Sequence, residues 1–334
     1  AGALIVVAAI GLAIWGLSKA DARRKQLLAE PPAAPVQTEQ GTSGAVAVTM
    51  EDYTVLVGQL QQQGRGVLKP GLNRATEVGD ELWGAAQASS NPETALHLAG
   101  QAVQCYLAPL VIRESMVFIP PGEVTLDEGP VEVGGFLMDA HEVTLDQYRQ
   151  FTQHESLWSI PVEFKERESE LGMHPISNVT CVDALAFAVS EGGDLPTEAQ
   201  WARAAYGDSP GTSYPWEGEP EVEDTNARFD PTAAYWIAPV GQYKSDLSSF
   251  GCYDMVGNVS EWTRSTVPPL EPGTAPGFQT AMVIRGGNAS EPPRPWNMRG
   301  TSLYEQKSLT LGFRCVVNLP TDPALVRAML ANPR

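Results

Sequence analysis

Residues 249–263 read SFGCYDMVGNVSEWT, the most distinctive stretch of the chain, and the segments on either side of it indicate the kind of domain to which it belongs. Upstream, MVFIPPGEVTL (116–126) consists of an apolar run, a Pro-Pro-Gly turn and a second run, which predicts two strands joined by a turn. Downstream lie VIRGGNAS (283–290) and LGFRCVVN (311–318). The chain contains 31 Gly and 27 Pro among 334 residues, so a loop-rich domain is favoured over a helical bundle.

Capping boxes predict two short helices in the same part of the chain. In GGFLMDAHEVTLDQYRQF (134–151), Thr144 and Gln147 have the T-x-x-Q spacing in which each side chain satisfies the other residue's backbone N–H group. LPTEAQWARAAYG (195–207) repeats this spacing, and HPISNVTCVDALAFA (174–188) predicts a strand that leads into a helix. The segments thus mix strands and helices, and the predicted fold class is α+β.

Taken in order, these segments resemble the formylglycine-generating enzyme family, also called the sulfatase-modifying-factor family. The resemblance covers about residues 116–318 and rests on seven signatures: M-V-x-I-P-x-G, E-V-T-x-x-Q-Y-x-x-F, H-P-I-x-x-V-T, L-P-T-E-A-x-W, F-G-x-Y-D-M-V-G-N-V-x-E-W, R-G-G and G-F-R. It implies a variant of the C-type-lectin fold with little regular structure per residue. We therefore expect a formylglycine-generating-enzyme-like domain over residues 113–320.

The chemistry that this resemblance implies lacks its key residues in this chain. Formylglycine generation in the family uses two thiols between R-G-G and G-F-R, which bind copper(I), a soft ion that prefers thiolate ligands. The corresponding stretch 288–311 contains no cysteine, and the thiol positions fall near Glu291 and Trp296. A related branch uses iron held by three histidines of an added helical domain, whereas residues 49–111 contain a single histidine, His97. We expect a pseudoenzyme that uses neither copper nor iron.

The resemblance also implies structural calcium at the G-N-V-S-E-W segment. A hard cation prefers oxygen ligands, which Asn258 and Glu261 could supply from their side chains and Val256 and Val259 from their carbonyl groups. The alternative is that Asn258 forms a turn and Glu261 hydrogen-bonds to the backbone. A second calcium site of the family would begin at Asn226, although its aspartate partner is out of register here.

The four cysteines are too few for a disulfide-built scaffold. In the family, the cysteine after G-F-R, here Cys315, pairs with a cysteine at the end of a helix, where Ala188 stands in this chain. Cys181 lies seven residues earlier, about two helical turns, which suggests a re-routed Cys181–Cys315 disulfide. The alternative is that the cysteines are buried free thiols, which pack like small apolar side chains.

The SEPPRPW loop is a candidate cleft for a partner or a ligand, formed by Glu291, Arg294, Trp296 and Arg299. Prolines flank Trp296 and a basic residue is nearby, so the indole could anchor a partner at an exposed position. Three arginines match arginines that the resemblance places in core turns, and we expect them to pair with acidic side chains rather than with a ligand: Arg285, Arg299 and Arg314.

The N-terminal sequence predicts a membrane anchor. Residues 1–17 carry no charge, and Trp15 is suited to the membrane interface. The apolar run is shorter than the roughly 20 residues of a membrane-spanning helix, so the core of a signal peptide is the alternative. We predict a transmembrane anchor over 1–18 and a basic flank with a Pro/Gly-rich linker over 19–48. We place the remainder outside the cytoplasm, although the basic flank favours the opposite orientation under the positive-inside rule.

Residues 49–112 have helical apolar spacing, for example at Met50, Tyr53 and Val57. Asn91-Pro92 predicts the start of a later helix, with the asparagine as N-cap. The region could form a helical stalk, which we adopt in the predicted fold, or a helical cap that packs on the main domain. Residues 321–334 are predicted to be a C-terminal tail.

The net charge of the chain argues against one class of function. The net charge of −18 argues against nucleic-acid binding, which needs a basic surface. We expect a membrane-anchored, non-catalytic subunit of a membrane-associated complex, such as one of a bacterial envelope, with protein partners. The alternatives are an enzyme that uses the same fold for other chemistry, and a lectin-like module that binds carbohydrate or peptide.

Overall fold

A computed structural model of the protein describes residues 48–64, 73–207, 214, 237–268, 280–290 and 299–331. The predicted anchor over 1–18 lies outside the described residues, as do Asn226, Glu291, Arg294 and Trp296. Within the described ranges, helices and short strands are mixed in an α+β arrangement. None of the helices in these ranges is long and apolar enough to cross a membrane.

The N-terminal helical region forms a group of three helices, which we call the cap: α1 (Met50–Gly64), α2 (Asn73–Ala88) and α3 (Pro92–Val111). The apolar stripe of α1 is buried at Tyr53 and Val57, as its spacing predicts. Asn91 is the N-cap of α3, and its Oδ1 accepts the N–H group of Glu93 at 2.9 Å and that of the next residue at 3.1 Å. This satisfies two of the N–H groups that a helix start leaves without partners.

The cap packs on the main domain, so the predicted stalk is wrong. Helix α3 buries almost every residue of its second half, and one apolar cluster joins the cap to strands of the main domain. Gln104 fastens this interface, because its Nε2 donates to the Leu319 carbonyl at 2.6 Å and its Oε1 accepts the Gly135 N–H at 2.7 Å. The predicted C-terminal tail contains a helix, α8 (Pro323–Ala331), which packs against α1 through the same apolar cluster.

The strands of the main domain form three small antiparallel or mixed sheets. The first has the order β1-β4-β9, with strands β1 (Met116–Ile119), β4 (Phe136–Asp139) and β9 (Val316–Asn318). The second is a hairpin of β2 (Gly122–Leu126) and β3 (Gly129–Val133). The third has the order β7-β6-β5-β8, with strands β5 (Ser260–Val267), β6 (Ala281–Arg285), β7 (Gly300–Leu303) and β8 (Leu311–Gly312). The predicted pair at 116–126 is therefore confirmed as two strands, but they join different sheets.

Four helices lie between the first strands and β5: α4 (Leu145–His154), α5 (Val162–Lys165), α6 (Cys181–Ser190) and α7 (Glu198–Tyr206). Both predicted capping boxes are confirmed, at the starts of α4 and α7. A third box at Thr180 and Asp183 begins α6, where the sequence has Asp instead of the Glu or Gln that the motif requires. The caps of α4 and α6 orient helices whose inner faces form the main apolar cluster, with Tyr148, Phe151 and Phe187 in ring contact. Helix α7 packs in a separate apolar cluster through Trp201.

Candidate functional site

The turn that precedes β5 is wrapped around one buried carboxylate, that of Asp246. Asp254 and Asn258 have left-handed backbone conformations, with φ of 60° and 62°, so the chain reverses sharply between them. Both oxygens of Asp246 accept N–H groups at 3.0–3.2 Å, from Met255, Val256 and Gly257. The chain thus enters β5 in a fixed direction, and this direction places Glu261 in the domain interior.

Asn258 serves the turn itself. Its Oδ1 accepts the Ala238 N–H at 2.9 Å, and its Nδ2 donates to the Ala238 carbonyl at 3.3 Å. The Val256 carbonyl accepts the Gly287 N–H at 3.0 Å, which ties the turn to the R-G-G signature. Val259 is fully buried in the apolar cluster. The interpretation of Asn258 as a turn residue therefore agrees with the contacts.

Glu261 forms a buried ion pair with Arg314, and neither side chain has any exposure. Oε1 of Glu261 accepts from Arg314 Nη2 at 2.7 Å, and Oε2 accepts from Trp201 Nε1 at 2.9 Å. The guanidinium also donates to three backbone carbonyls, those of Asp139, Ala140 and Tyr253. The segments that carry the signatures E-V-T, L-P-T-E-A-x-W, G-N-V-x-E-W and G-F-R therefore meet at this pair.

These contacts do not fit the predicted calcium site. The side-chain oxygens of Asn258 and Glu261 already accept from protein donors, and a guanidinium provides the positive charge beside Glu261. In the part of the chain that the structure describes, no group of three or more His, Cys, Asp or Glu side chains is arranged to hold a metal ion. The partners of Glu261, Trp201 and Arg314, lie more than fifty residues away along the chain, so the local sequence could not show them.

A second carboxyl group lies in the same region without a hydrogen bond. Glu142 is 1% exposed, and neither of its side-chain oxygens has a hydrogen-bond partner among the described residues. Burial raises the pKa of Glu142 well above its ordinary value, and the nearby Asp254 carboxylate raises it further, while Arg314 opposes the shift. Burial and Asp254 also raise the pKa of Asp246 to about 7. One guanidinium therefore faces more carboxyl groups than it can neutralise, and burial favours the neutral form of Glu142.

The other predicted arginine pairings are confirmed at a second cluster. Glu198 at the start of α7 accepts from Arg285 Nη2 at 2.5 Å and from Arg299 Nε at 2.6 Å. Arg299 also donates to Glu128 at 2.8 Å. Arg299 is the one member of the predicted cleft that falls within the described residues. Its guanidinium is held between two carboxylates, so a structural role accounts for its contacts.

The predicted disulfide is absent: all four cysteines are free and buried. Cys181 begins α6 and its Sγ lies 4.0 Å from the Thr263 carbonyl on β5, whereas Cys315 precedes β9 and hydrogen-bonds to Asp139. The two thiols therefore have separate partners. Burial raises the pKa of Cys105 and of Cys181 to about 12, that of Cys252 to about 11, and that of Cys315 well above its ordinary value.

The fold and this interior define a domain of the formylglycine-generating-enzyme type. The sequence profile described as sulfatase-modifying factor enzyme 1-like domain matches residues 109–319, and the chain belongs to this family. The family predicted from the seven signatures is confirmed.

Three relatives show the range of proteins that carry such a domain. The chain is 31% identical to the inactive C-alpha-formylglycine-generating enzyme 2 of Mus musculus, over 42% of this chain and 48% of that protein. It is 28% identical to the formylglycine-generating enzyme of Mycobacterium tuberculosis, over 55% of this chain and 71% of that protein. It is 31% identical to serine/threonine-protein kinase Pkn1 of Chlamydia trachomatis, over 47% of this chain and 29% of that protein. The chain thus spans less than half the length of the mouse protein and of the kinase.

Solved structures also resemble this chain. The crystal structure of CarF aligns with a TM-score of 0.48 and 20% identity, over 61% of this chain and 98% of CarF. PvdO from Pseudomonas aeruginosa aligns with the same TM-score and identity, over 61% of this chain and 94% of PvdO.

Proposed function

We propose that this chain is a non-catalytic member of the family and serves as a structural or partner-binding subunit of a membrane-associated complex. The observation that carries the proposal is the state of the thiols. The chain has four cysteines, none of them between 288 and 311, and all four are buried, which raises the pKa of each thiol. Copper(I) binding requires thiolate ligands, and these thiols stay protonated at neutral pH.

The predicted anchor and the distribution of charge support the second half of the proposal. Residues 1–48 contain four basic and three acidic side chains, so residues 49–334, with 18 basic and 37 acidic side chains, carry a net charge of −19. An acidic domain held near a membrane favours partners that present a basic face, because complementary charge speeds association and fixes orientation. The anchor over 1–18 and the extracytoplasmic location are parts of this proposal.

The relatives are compatible with a non-catalytic role. A family member at 31% identity is named as inactive, and another at 28% identity is named as an enzyme, so the fold serves both kinds of protein. What separates the two kinds is the chemistry of the site, and in this chain Arg314 pairs with Glu261 while Arg285 and Arg299 pair with Glu198. These ion pairs support a structural role for the three arginines.

The first test is enzymatic. The full chain in detergent, loaded with copper(I) under oxygen, is incubated with a cysteine-containing peptide that the Mycobacterium tuberculosis relative converts, and aldehyde is measured by hydrazide labelling and mass spectrometry. We expect aldehyde with the relative and none with this chain. Aldehyde formation by this chain would overturn the proposal.

The second test concerns assembly. The full chain is cross-linked in its native membrane, solubilised and sized, and the masses of the complex and its components are measured. We expect a complex of defined stoichiometry that dissociates as salt is raised, because the surface is acidic. A lone monomer at low salt contradicts the proposal. Specific binding on a glycan array would instead favour the lectin-like alternative.

A further inference from the structure

A pocket of about 230 Å³ lies where the cap joins the main domain. It is smaller than the roughly 300–1,000 Å³ of pockets for drug-sized ligands, so it suits a group of the size of one side chain. Its apolar wall includes Phe187, Met116 and Val317, all of which are buried. Carboxyl groups from two different elements, Asp139 and Glu191, lie in its lining.

Asp139 is held in place at the end of β4. Its Oδ2 accepts the Cys315 N–H at 3.0 Å, and its own N–H donates to the Cys315 carbonyl at 2.9 Å. Burial raises the pKa of Asp139 to about 6, while the Cys315 N–H and the guanidinium groups of Arg314 and Arg113 oppose the shift. The carboxyl group is therefore ionised at pH 7.5. Because it is half-buried, an opposite charge beside it interacts with it more strongly than in bulk water.

The one guanidinium in the pocket lining, that of Arg113, already contacts another residue of the lining. Arg113 follows the last helix of the cap, and its Nη2 donates to the Glu191 carbonyl at 2.5 Å. Its Nη1 lies 3.7 Å from Glu191 Oε2. Arg314 lies on the interior side and donates to the backbone carbonyl of Asp139, but the carboxylate of Glu261 neutralises the charge of Arg314. The lining thus has two carboxylates and one bound guanidinium, an excess of one negative charge.

We propose that this pocket binds a primary ammonium group on a short aliphatic chain, with Asp139 as its counter-ion. Asp139 and Glu191 attract the ammonium group, and the apolar wall of Phe187, Met116 and Val317 suits the methylene groups. The lining also includes two exposed amide side chains: Gln150, and Gln147, whose Oε1 accepts the Thr144 N–H and whose NH2 group can donate to a polar tail. An anion would have to lie beside Asp139 and compete with Glu191 for Arg113.

This inference does not depend on the proposed function, because a catalytic and a non-catalytic protein could both carry such a pocket. The same ammonium chemistry is supplied by a free alkylamine or by a lysine side chain of a polypeptide. The experiment therefore includes both sources.

Binding is measured by isothermal titration calorimetry on the full chain in detergent at pH 7.5. The probes are n-pentylamine, pentan-1-ol, pentanoate and Nα-acetyl-lysine amide. We expect pentylamine to bind at least about tenfold more tightly than the alcohol or the acid, because only the amine satisfies the buried carboxylate. Binding of acetyl-lysine amide in competition with pentylamine indicates a polypeptide source, and its failure to compete indicates a small-molecule source.

Three variants locate the effect. Asp139→Asn should weaken pentylamine binding at least about tenfold, whereas the matched control Glu155→Gln, at an exposed acid outside the pocket, should not change it. Arg113→Ala should tighten binding, because it frees Glu191. If Asp139→Asn fails to fold, the Arg113→Ala result decides. Equal binding of amine and alcohol, or tighter binding of pentanoate, would overturn the proposal.

Discussion

The ion pair between Glu261 and Arg314 should be the most sensitive point of the domain. We consider Glu261→Gln, which keeps the size of the side chain and removes its charge. Both carboxylate oxygens accept hydrogen bonds, from Arg314 and from Trp201. A glutamine has one acceptor, so its amide N–H group must face either the guanidinium or the indole N–H. Arg314 would then be a fully buried charge without the carboxylate that pairs with it directly.

The magnitude follows from this burial. Removing one partner of a buried pair costs about 3–5 kcal/mol, because the remaining charge stays desolvated. For a domain of about 200 residues, each kcal/mol lowers Tm by about 2–4 °C, so we expect a fall of roughly 6–20 °C. The matched control is Glu128→Gln, which removes the same charge from a pair with Arg299 at a carboxylate that is 59% exposed. We expect a loss of no more than about 1 kcal/mol for the control.

The assay is thermal and chemical unfolding of the purified chain, followed by circular dichroism. The double variant Glu261→Leu with Arg314→Met tests the cause, because it removes both charges and should be less destabilised than Glu261→Gln. Addition of calcium or of a chelator should leave Tm unchanged, since protein donors already satisfy Glu261. A Tm of Glu261→Gln within about 2 °C of the wild type would refute this reasoning.

Three further predictions concern the other buried groups. The pKa of Glu142 is raised in the folded state, so its contribution to stability is greatest below about pH 4.5 and falls as the pH rises toward the folded-state pKa. The stability of Glu142→Gln relative to the wild type should therefore increase by up to about 1.4 kcal/mol for each pH unit above pH 4.5. Urea unfolding from pH 5 to 8 measures this difference. The four thiols should not react with a thiol reagent until the chain unfolds, and rapid labelling of the folded protein would contradict their burial. Asn91→Ala should cost about 1 kcal/mol by removing the N-cap of α3, and an unchanged urea midpoint would contradict the capping role.

Local features of the chain could be predicted because they depend on neighbours at fixed spacing. The capping box of Thr144 and Gln147 joins residues three apart, so the motif alone identifies the helix start. The cap of α3 is of the same kind. The third box, at Thr180, was missed because its third helical position holds Asp183 and not the Glu or Gln of the motif. The shorter side chain of Asp183 nevertheless completes the same pair of hydrogen bonds. The helical stalk was wrong because apolar spacing indicates a buried face without indicating what covers it.

The sequence by itself determined the family, the starts of several helices, the first two strands of the main domain, and the absence of thiols between R-G-G and G-F-R, since signatures and composition do not require partners in space. The strand predicted at the start of 174–188 is not formed, and only its helix is present. Only the tertiary structure decided what Glu261 contacts: its partners lie 53 and 60 residues away, and their approach is set by packing of separate elements. The same holds for Glu142. The E-V-T signature contains this residue, but the lack of hydrogen-bond donors beside its carboxyl group results from the elements that pack around it. The pocket at Asp139 likewise exists only because β1, β4 and β9 pack against α4 and α6, which are distant in the sequence.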